Sequence, residues 1–383
     1  MVVFVQYLVM ENKEVTAPGE GVNARVSEKK RIVVACGGTG GHAFPGLAVA
    51  KELLSRGHDV AVWDSGRMVE SDVMRSWEGG TFSTGARQLS VKNLFANLFA
   101  LLRCRREIKR FRPHALLAMG SYSSLPPVLA ARSAGVPIVL HEANTVPGRA
   151  VDTLSRFAKT VAVSFAVTKE HLPGRATELT GLPVREGIEK GERFAEVPPD
   201  AFCVFVTGGS QGAHRVNELV TAAMPLVKAA LDRTGRKLYV IHQTGLKDEG
   251  PVMGRYAAAG ISSRVNAFEH EMARAFASAD LVIARAGAST CFELARAGKP
   301  AFLIPLPSAL RNHQHFNAEA FVAAGAADEG KQDEITPRAI ANYILNKIEH
   351  PHLLMKMAEC MRAMSVPDAA GRVADLVEQN SLP

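Results

Sequence analysis

Short aliphatic, β-branched runs alternate along this chain with segments whose apolar residues recur every three or four positions. The runs at 31–35, 59–63, 115–119, 138–141 and 160–163 carry no alternation of apolar and polar residues, so they predict strands buried on both faces. Between them lie helical patterns, the first over 45–54. Strands separated by helical crossovers predict a parallel sheet. The same rhythm returns at 203–207, 238–243, 264–268, 281–284 and 301–305, with a helix starting near His214. A polar, proline-bearing stretch over 183–200, with Glu186, Glu189, Lys190, Glu192, Pro198 and Pro199, reads as a linker between the two series. The pattern therefore predicts an α/β protein of two Rossmann-like domains facing a cleft, over 29–190 and 191–365. The last segment, 366–383, is expected to be a helix returning to the first domain.

Length agrees with this division, because 383 residues exceed what one core organises. The formal charge of +7 favours anionic partners, yet the basic residues are scattered apart from one run over 103–112, so nucleic acid is not expected. The five cysteines have neither metal-ligand spacing nor disulfide density, which points to a reducing, cytoplasmic compartment. No apolar run reaches the roughly 18–20 residues of a membrane span. Residues 1–10 are apolar but lack a basic start and are followed by Glu11, Lys13 and Glu14, so 1–28 reads as a flexible leader and not as a signal peptide.

Two glycine turns stand between a strand and a helix, where backbone N–H groups and the helix dipole attract anions. The first is Gly37-Gly38-Thr39-Gly40-Gly41-His42; the second is Gly208-Gly209-Ser210-Gln211-Gly212. Gly38, Gly40 and Ala43, with Asp64 after the next strand, fit a loose dinucleotide fingerprint and keep a nicotinamide oxidoreductase in view. Against it, His42 occupies the place of closest pyrophosphate approach, and the second turn lacks the fingerprint. A P-loop is excluded: no Gly-Lys-Ser/Thr occurs, and Lys299 is followed by Pro300. No Asp-x-Asp pair is present either, which disfavours a transferase holding its sugar nucleotide through a metal. Farther on, Gly287, Ala288, Ser289 and Thr290 form a small-residue helix start suited to a diphosphate, and Glu293 lies one turn inside. That carboxylate suits a ribose, or serves as an acidic residue favoured by the dipole. A polar loop follows with Arg311, Asn312, His313 and Gln314, able to read sugar hydroxyls.

Five stretches in register carry a resemblance: Gly37-Gly-Thr-Gly-Gly-His-Ala-Phe-Pro-Gly46, His141-Glu-Ala-Asn144, Gly208-Gly-Ser-Gln-Gly-Ala213, Arg285-Ala-Gly-Ala-Ser-Thr-Cys-Phe-Glu293, and Asn312-His-Gln314 with Asn317-Ala318. Together, over about 31–380, they resemble the MurG family, the UDP-N-acetylglucosamine:N-acetylmuramyl-(pentapeptide) pyrophosphoryl-undecaprenol N-acetylglucosamine transferases of bacterial peptidoglycan synthesis. The resemblance implies an inverting glycosyltransferase of the GT-B type that needs no cofactor or metal. It makes lipid II from UDP-N-acetylglucosamine and the undecaprenyl-linked acceptor lipid I. Donor contacts carry over onto Asn144, Arg185, Ser210, Glu269, Ala288, Ser289, Thr290, Cys291, Phe292, Glu293 and Gln314, with Thr39, Gly40 and Gly41 facing the sugar. Gly37, Gly38 and His42 are left to the acceptor and its pyrophosphate. His42 is the candidate base for the muramyl 4-hydroxyl, with a phosphate hydrogen bond as its alternative role.

Departures from the family pattern are Ser121 in place of a second glycine, Ala143 in place of glutamine, Leu182 in place of asparagine, and Glu269 where an aliphatic residue usually meets uracil. The basic run gains meaning beside the apolar stripe of Val91, Leu94, Phe95, Leu98, Phe99 and Leu102. Such a helix, with Arg103 and Arg106 at its edge, suits either the core or an anionic cytoplasmic membrane surface. A lipid-linked acceptor favours the peripheral inner-membrane reading, and association with other cell-wall synthesis proteins is a further expectation. A related GT-B transferase acting on another acceptor is the remaining alternative.

Overall fold

The computed structural model describes residues 28–38, 40–66, 77–88 and 90–383, so Thr39 and nearly all of the expected leader lie outside the described residues. The chain divides into two compact units. One takes the residues up to Ala143 together with Pro147–Pro183 and Asp368–Pro383, and the other takes Asn144–Val146 and Val184–Pro367.

In the first unit the elements are β1 (Arg31–Ala35), α1 (Gly40–Ser55), β2 (Asp59–Asp64), β3 (Gly80–Ser83), α2 (Leu94–Phe111), β4 (Ala115–Ala118), α3 (Leu125–Ser133), β5 (Ile138–Glu142), α4 (Arg149–Leu154), β6 (Thr160–Val163) and β7 (Thr177–Leu179). The strands form one sheet in the order β3-β2-β1-β4-β5-β6-β7, and every pairing is parallel. The second unit contains β8 (Ala201–Thr207), α5 (His214–Asp232), β9 (Lys237–Gln243), α6 (Glu249–Ala258), β10 (Ser262–Asn266), α7 (Met272–Ser278), β11 (Leu281–Ala284), α8 (Ala288–Ala297), β12 (Ala301–Leu303), α9 (His313–Ala323), β13 (Ala327–Glu329), α10 (Pro337–Glu349) and α11 (Pro351–Ala363). Its parallel sheet runs β10-β9-β8-β11-β12-β13. Counted within each unit, both sheets follow the 3-2-1-4-5-6 order of the doubly wound Rossmann plan. The two-domain α/β expectation is met.

Central strands behave as their apolar runs predict: Ile32, Val33, Val34, Leu116, Leu117, Val204, Val206 and Ile283 are all fully buried. The strands that the sequence does not reveal are β3, β7 and β13, each at a sheet edge. Edge strands are half solvated, so Gly-Thr-Phe-Ser, Thr-Glu-Leu and Ala-Asp-Glu carry no apolar run to read. β10 ends at Asn266, two residues before the expected Phe268, because the following residues turn to place Glu269. α1 starts at Gly40, not at Pro45. Proline favours a first helical turn, which biases a sequence reading toward it; here it lies inside the helix, and Gly40, Gly41 and His42 form the first turn.

The final helix, α12 (Ala369–Gln379), packs in the first unit. Val373, Ala374 and Val377 share a core with Val49 and Leu53 of α1. Arg56 fastens it through Asp375 at 2.6 Å and Glu378 at 3.1 Å, and His58 reaches Glu378 at 2.8 Å.

α2 faces the core with its smaller residues and leaves its large apolar stripe outside. Only Ala100, Cys104 and Ile108 are buried, whereas Leu94, Phe95, Leu98, Phe99 and Leu102 are exposed, Phe95 by 74%. Five large apolar side chains are thus exposed on a helix whose smaller residues pack on the core. Among the described residues no helix is long and apolar enough to cross a membrane.

Candidate functional site

The first glycine turn leaves β1 at its carboxyl end. Gly38 has φ +124°, a conformation closed to other residues, and a Cβ there would come within 2.9 Å of Ser121 Oγ. The hydroxyls of Ser121 and Ser123 both donate to the Gly37 carbonyl, each at 2.5 Å. Ser121, the departure from the family glycine, thus braces the turn. Gly46 presses α1 onto β1, where a Cβ would meet that of Cys36 at 2.2 Å. His42 is half-buried in the first turn of α1. Beneath it His141 is fully buried, and its Nε2–H donates to the Gly181 carbonyl at 3.3 Å. Burial, with His42 as a like-charged neighbour, lowers the His141 pKa to about 4, so the ring is neutral.

In the second unit the turn after β8 is built by close backbone approach. Gly209 (φ +80°) donates its N–H to Thr207 Oγ1 at 3.1 Å. Gly212 (φ +72°) lies against Thr244, whose carbonyl a Cβ would meet at 2.1 Å. Ser210 is half-buried at the tip. Below the turn, Asn217 of α5 donates to the Thr244 carbonyl at 2.8 Å and to Asp248 at 2.7 Å, while its amide oxygen receives His242 Nε2 at 3.0 Å.

β11 leads through Arg285 to α8. The Arg285 guanidinium donates to the carbonyls of Ile304 and Pro305, both at 3.0 Å, and to Gln332 at 2.5 Å. It is a strut that fixes the loop around α8. Gly287 is the N-cap and brings no side chain to cover the N–H groups of Ala288, Ser289 and Thr290. Cys291 and Phe292 are buried, and the Phe292 ring meets that of Phe321 edge-on at 6.0 Å. Glu293, also buried, pairs with Arg185 Nε at 3.0 Å. Burial raises the Glu293 pKa and Arg185 opposes the rise. The two residues that the resemblance assigns to ribose and diphosphate therefore meet each other.

Asn317 of α9, fully buried, joins three segments. Its amide nitrogen donates to Asn144 Oδ1 at 3.1 Å and to the Ala286 carbonyl at 3.2 Å, and its oxygen accepts from Thr145 N–H at 3.0 Å. Gln314 accepts from Leu306 N–H at 2.9 Å, tying the polar loop to the end of β12. That loop is strained: Arg311 and Asn312 both have left-handed backbones, with φ 53° and 56°.

The Glu269 side chain is engaged within the second unit. Its carboxylate receives Arg264 Nε at 2.9 Å, Asn266 Nδ2 at 2.8 Å and Glu271 N–H at 2.9 Å. Burial disfavours its charge, but these donors outweigh burial and hold the carboxyl below its ordinary range. The side chain is thereby turned into the protein, and its N–H donates to Gln243 Oε1 at 3.1 Å. The sequence did not single out Gln243, Ser123 or Asn217; a polar residue at the carboxyl end of a buried strand, as Gln243 is, is the signal that would have found the first. Among the described residues no three His, Cys, Asp or Glu side chains gather as a metal site.

Comparison with known proteins accords with this arrangement. Residues 32–163 match the glycosyltransferase family 28 N-terminal domain, and residues 203–373 match the family 28 C-terminal domain. A UDP-N-acetylglucosamine--N-acetylmuramyl-(pentapeptide) pyrophosphoryl-undecaprenol N-acetylglucosamine transferase of Geobacter sp. (strain M21) is 36% identical over 362 residues, covering 91% of this chain and 96% of the relative. The protein of the same name from Solibacter usitatus is 36% identical over 364 residues, covering 92% and 96%. The crystal structure of Acinetobacter baumannii MurG superposes with a TM-score of 0.72 at 31% identity, covering 92% of this chain and 100% of that one. By these matches along both sheets and all five motifs, the chain belongs to the MurG family of glycosyltransferase family 28, with two GT-B-type Rossmann-like domains.

Proposed function

We propose that this chain moves N-acetylglucosamine from UDP-N-acetylglucosamine to the 4-hydroxyl of the N-acetylmuramyl residue of lipid I, giving lipid II with inversion at the anomeric carbon. The observation that carries the donor assignment is the Arg185–Glu293 pair at the start of α8. On donor binding Glu293 accepts the ribose hydroxyls, and the Arg185 guanidinium turns its charge to the diphosphate. The N–H groups of Ala288, Ser289 and Thr290 and the α8 dipole share that load, so leaving UDP is stabilised where its charge develops. Ser210 at the tip of the second glycine turn and Asn144, Gln314 and the polar loop complete the donor site. Glu269 serves it indirectly, by shaping the base-side turn.

The acceptor belongs to the first unit. Gly37 and Gly38, at the end of β1, are the part of the glycine turn left to its pyrophosphate. The muramyl 4-hydroxyl oxygen attacks the anomeric carbon while the bond to the UDP oxygen breaks, and His42 takes the hydroxyl proton. His141, its neighbour, is held neutral by burial and so adds no positive charge of its own. α2 lies on the anionic cytoplasmic leaflet, its exposed Leu94, Phe95, Leu98 and Phe99 entering the headgroup boundary and Arg103 and Arg106 meeting lipid phosphates.

The deciding experiment incubates purified protein with UDP-N-acetylglucosamine and lipid I in vesicles with and without anionic lipid. Lipid II forms, faster on anionic vesicles and less so in high salt. Absence of lipid II refutes the reaction, and a rate indifferent to anionic lipid and salt refutes the membrane surface.

A further inference from the structure

Gln243 is the last residue of β9 and is 3% exposed. In the sheet it lies between Thr207, the end of β8, and Asn266, the end of β10. Each of those strands runs directly into a turn on the donor side. The Gln243 amide reaches both turns: Nε2 donates to the Gly209 carbonyl at 2.7 Å, and Oε1 accepts the Glu269 N–H at 3.1 Å. Beyond Glu269 the chain of bonds continues, since its carboxylate is held by Arg264, Asn266 and the Glu271 N–H. Arg264 in turn pairs with Glu196 at 2.9 Å and lies over the Phe194 ring at 4.2 Å. An unbroken polar path thus links the glycine turn to a rigid corner of the second unit.

Only a primary amide meets both demands at this position. An ionised glutamate of the same length has no donor for the Gly209 carbonyl, and a methionine has no donor and only a weak thioether acceptor. Both partners are backbone groups, Glu269 buried and Gly209 half-buried, and a lost bond leaves the buried N–H unsatisfied.

We propose that Gln243 is a positioning residue that ties the glycine turn, on the diphosphate side of the donor, to the Glu269 turn on its base side. The two parts of the nucleotide site are thereby held in one preorganised geometry, so that the diphosphate and the base are gripped together. This inference rests on the donor assignment given above. It differs from a stability role in what it moves: the affinity that a nucleotide gains from its diphosphate.

The test measures binding of UDP and of uridine to the full chain and to its Gln243→Met and Gln243→Glu variants, with donor and acceptor kinetics and thermal melting alongside. In the variants UDP binding weakens about tenfold or more while uridine binding changes about threefold or less. The donor KM rises in parallel, the acceptor KM stays put, and Gln243→Glu is the worse because its carboxylate opposes the Gly209 carbonyl. Variants that keep the wild-type UDP-to-uridine affinity ratio overturn the proposal. So does a loss that falls equally on donor and acceptor, or a failure of both variants to fold, which would make Gln243 a stability residue. Wild-type protein that does not bind UDP refutes the donor assignment itself, whereas wild-type binding with unaltered variants refutes only the role of Gln243.

Discussion

The two glycine turns share a plan and differ in what surrounds them. The first is braced by the Ser121 and Ser123 hydroxyls on the Gly37 carbonyl, and the His42 that ends it has the uncharged ring of His141 as a neighbour. The second is braced by the Gln243 amide on the Gly209 carbonyl, which leads on to Glu269 and its partner Arg264, and the same unit holds a further ion pair, Arg185 with Glu293, at α8. On the proposed function, one strand–turn–helix device serves two kinds of chemistry: proton transfer at His42 in the first unit, and in the second the departure of a ligand whose growing negative charge fixed charges stabilise.

The contrast breaks first at His42. If the first turn handles the proton, His42→Ala lowers kcat by about 10²–10⁴ with donor KM nearly unchanged. A loss of only a few-fold together with sharply weakened acceptor binding would give His42 the phosphate role instead. Next comes the charged side. Glu293→Gln removes the partner of Arg185 and a charged acceptor for ribose, so donor KM rises about 10- to 100-fold, the equivalent of about 1.5–3 kcal/mol, with acceptor KM unchanged. Steady-state kinetics with each substrate varied in turn separates the two outcomes.

A third effect is on stability and involves one residue of each unit. His141 in the first and His242 in the second are fully buried, and burial lowers their pKa values from 6.5 to about 4 and about 3. Unfolded histidines take up protons below about 6.5 while these two stay neutral. Unfolding is therefore favoured as pH falls from 6.5 toward 4, by at most about 1.4 kcal/mol per pH unit for each ring. Urea melts at pH 7, 6 and 5 report the slope, and a stability flat over that range would show that the rings are protonated in the fold.

Much of this was legible beforehand. Buried parallel strands announce themselves as uninterrupted apolar runs, and both glycine turns and the α8 start follow directly from residue type. The edge strands did not announce themselves, since a strand wetted on one side needs no apolar run. Nor did the true start of α1, where packing of Gly46 on Cys36 extends the helix back through His42. For α2 the stripe of apolar residues was plain, but a stripe has no direction; the core inside it is made by Ala100, Cys104 and Ile108, and the larger side chains face out.

What the sequence by itself determined is the local grammar: strand, turn and helix, the number of domains, and the family to which the motifs in register belong. These depend on near neighbours along the chain and on periodicity, which any reader of residues possesses. The tertiary structure alone decided the partnerships. Arg185 meets Glu293, Asn317 joins Asn144 to Ala286, and Gln243 spans from Gly209 to Glu269, each across separations that no spacing rule encodes. Such pairs exist because a parallel sheet brings the carboxyl ends of sequence-distant strands side by side, where buried polar groups must find one another or go unsatisfied.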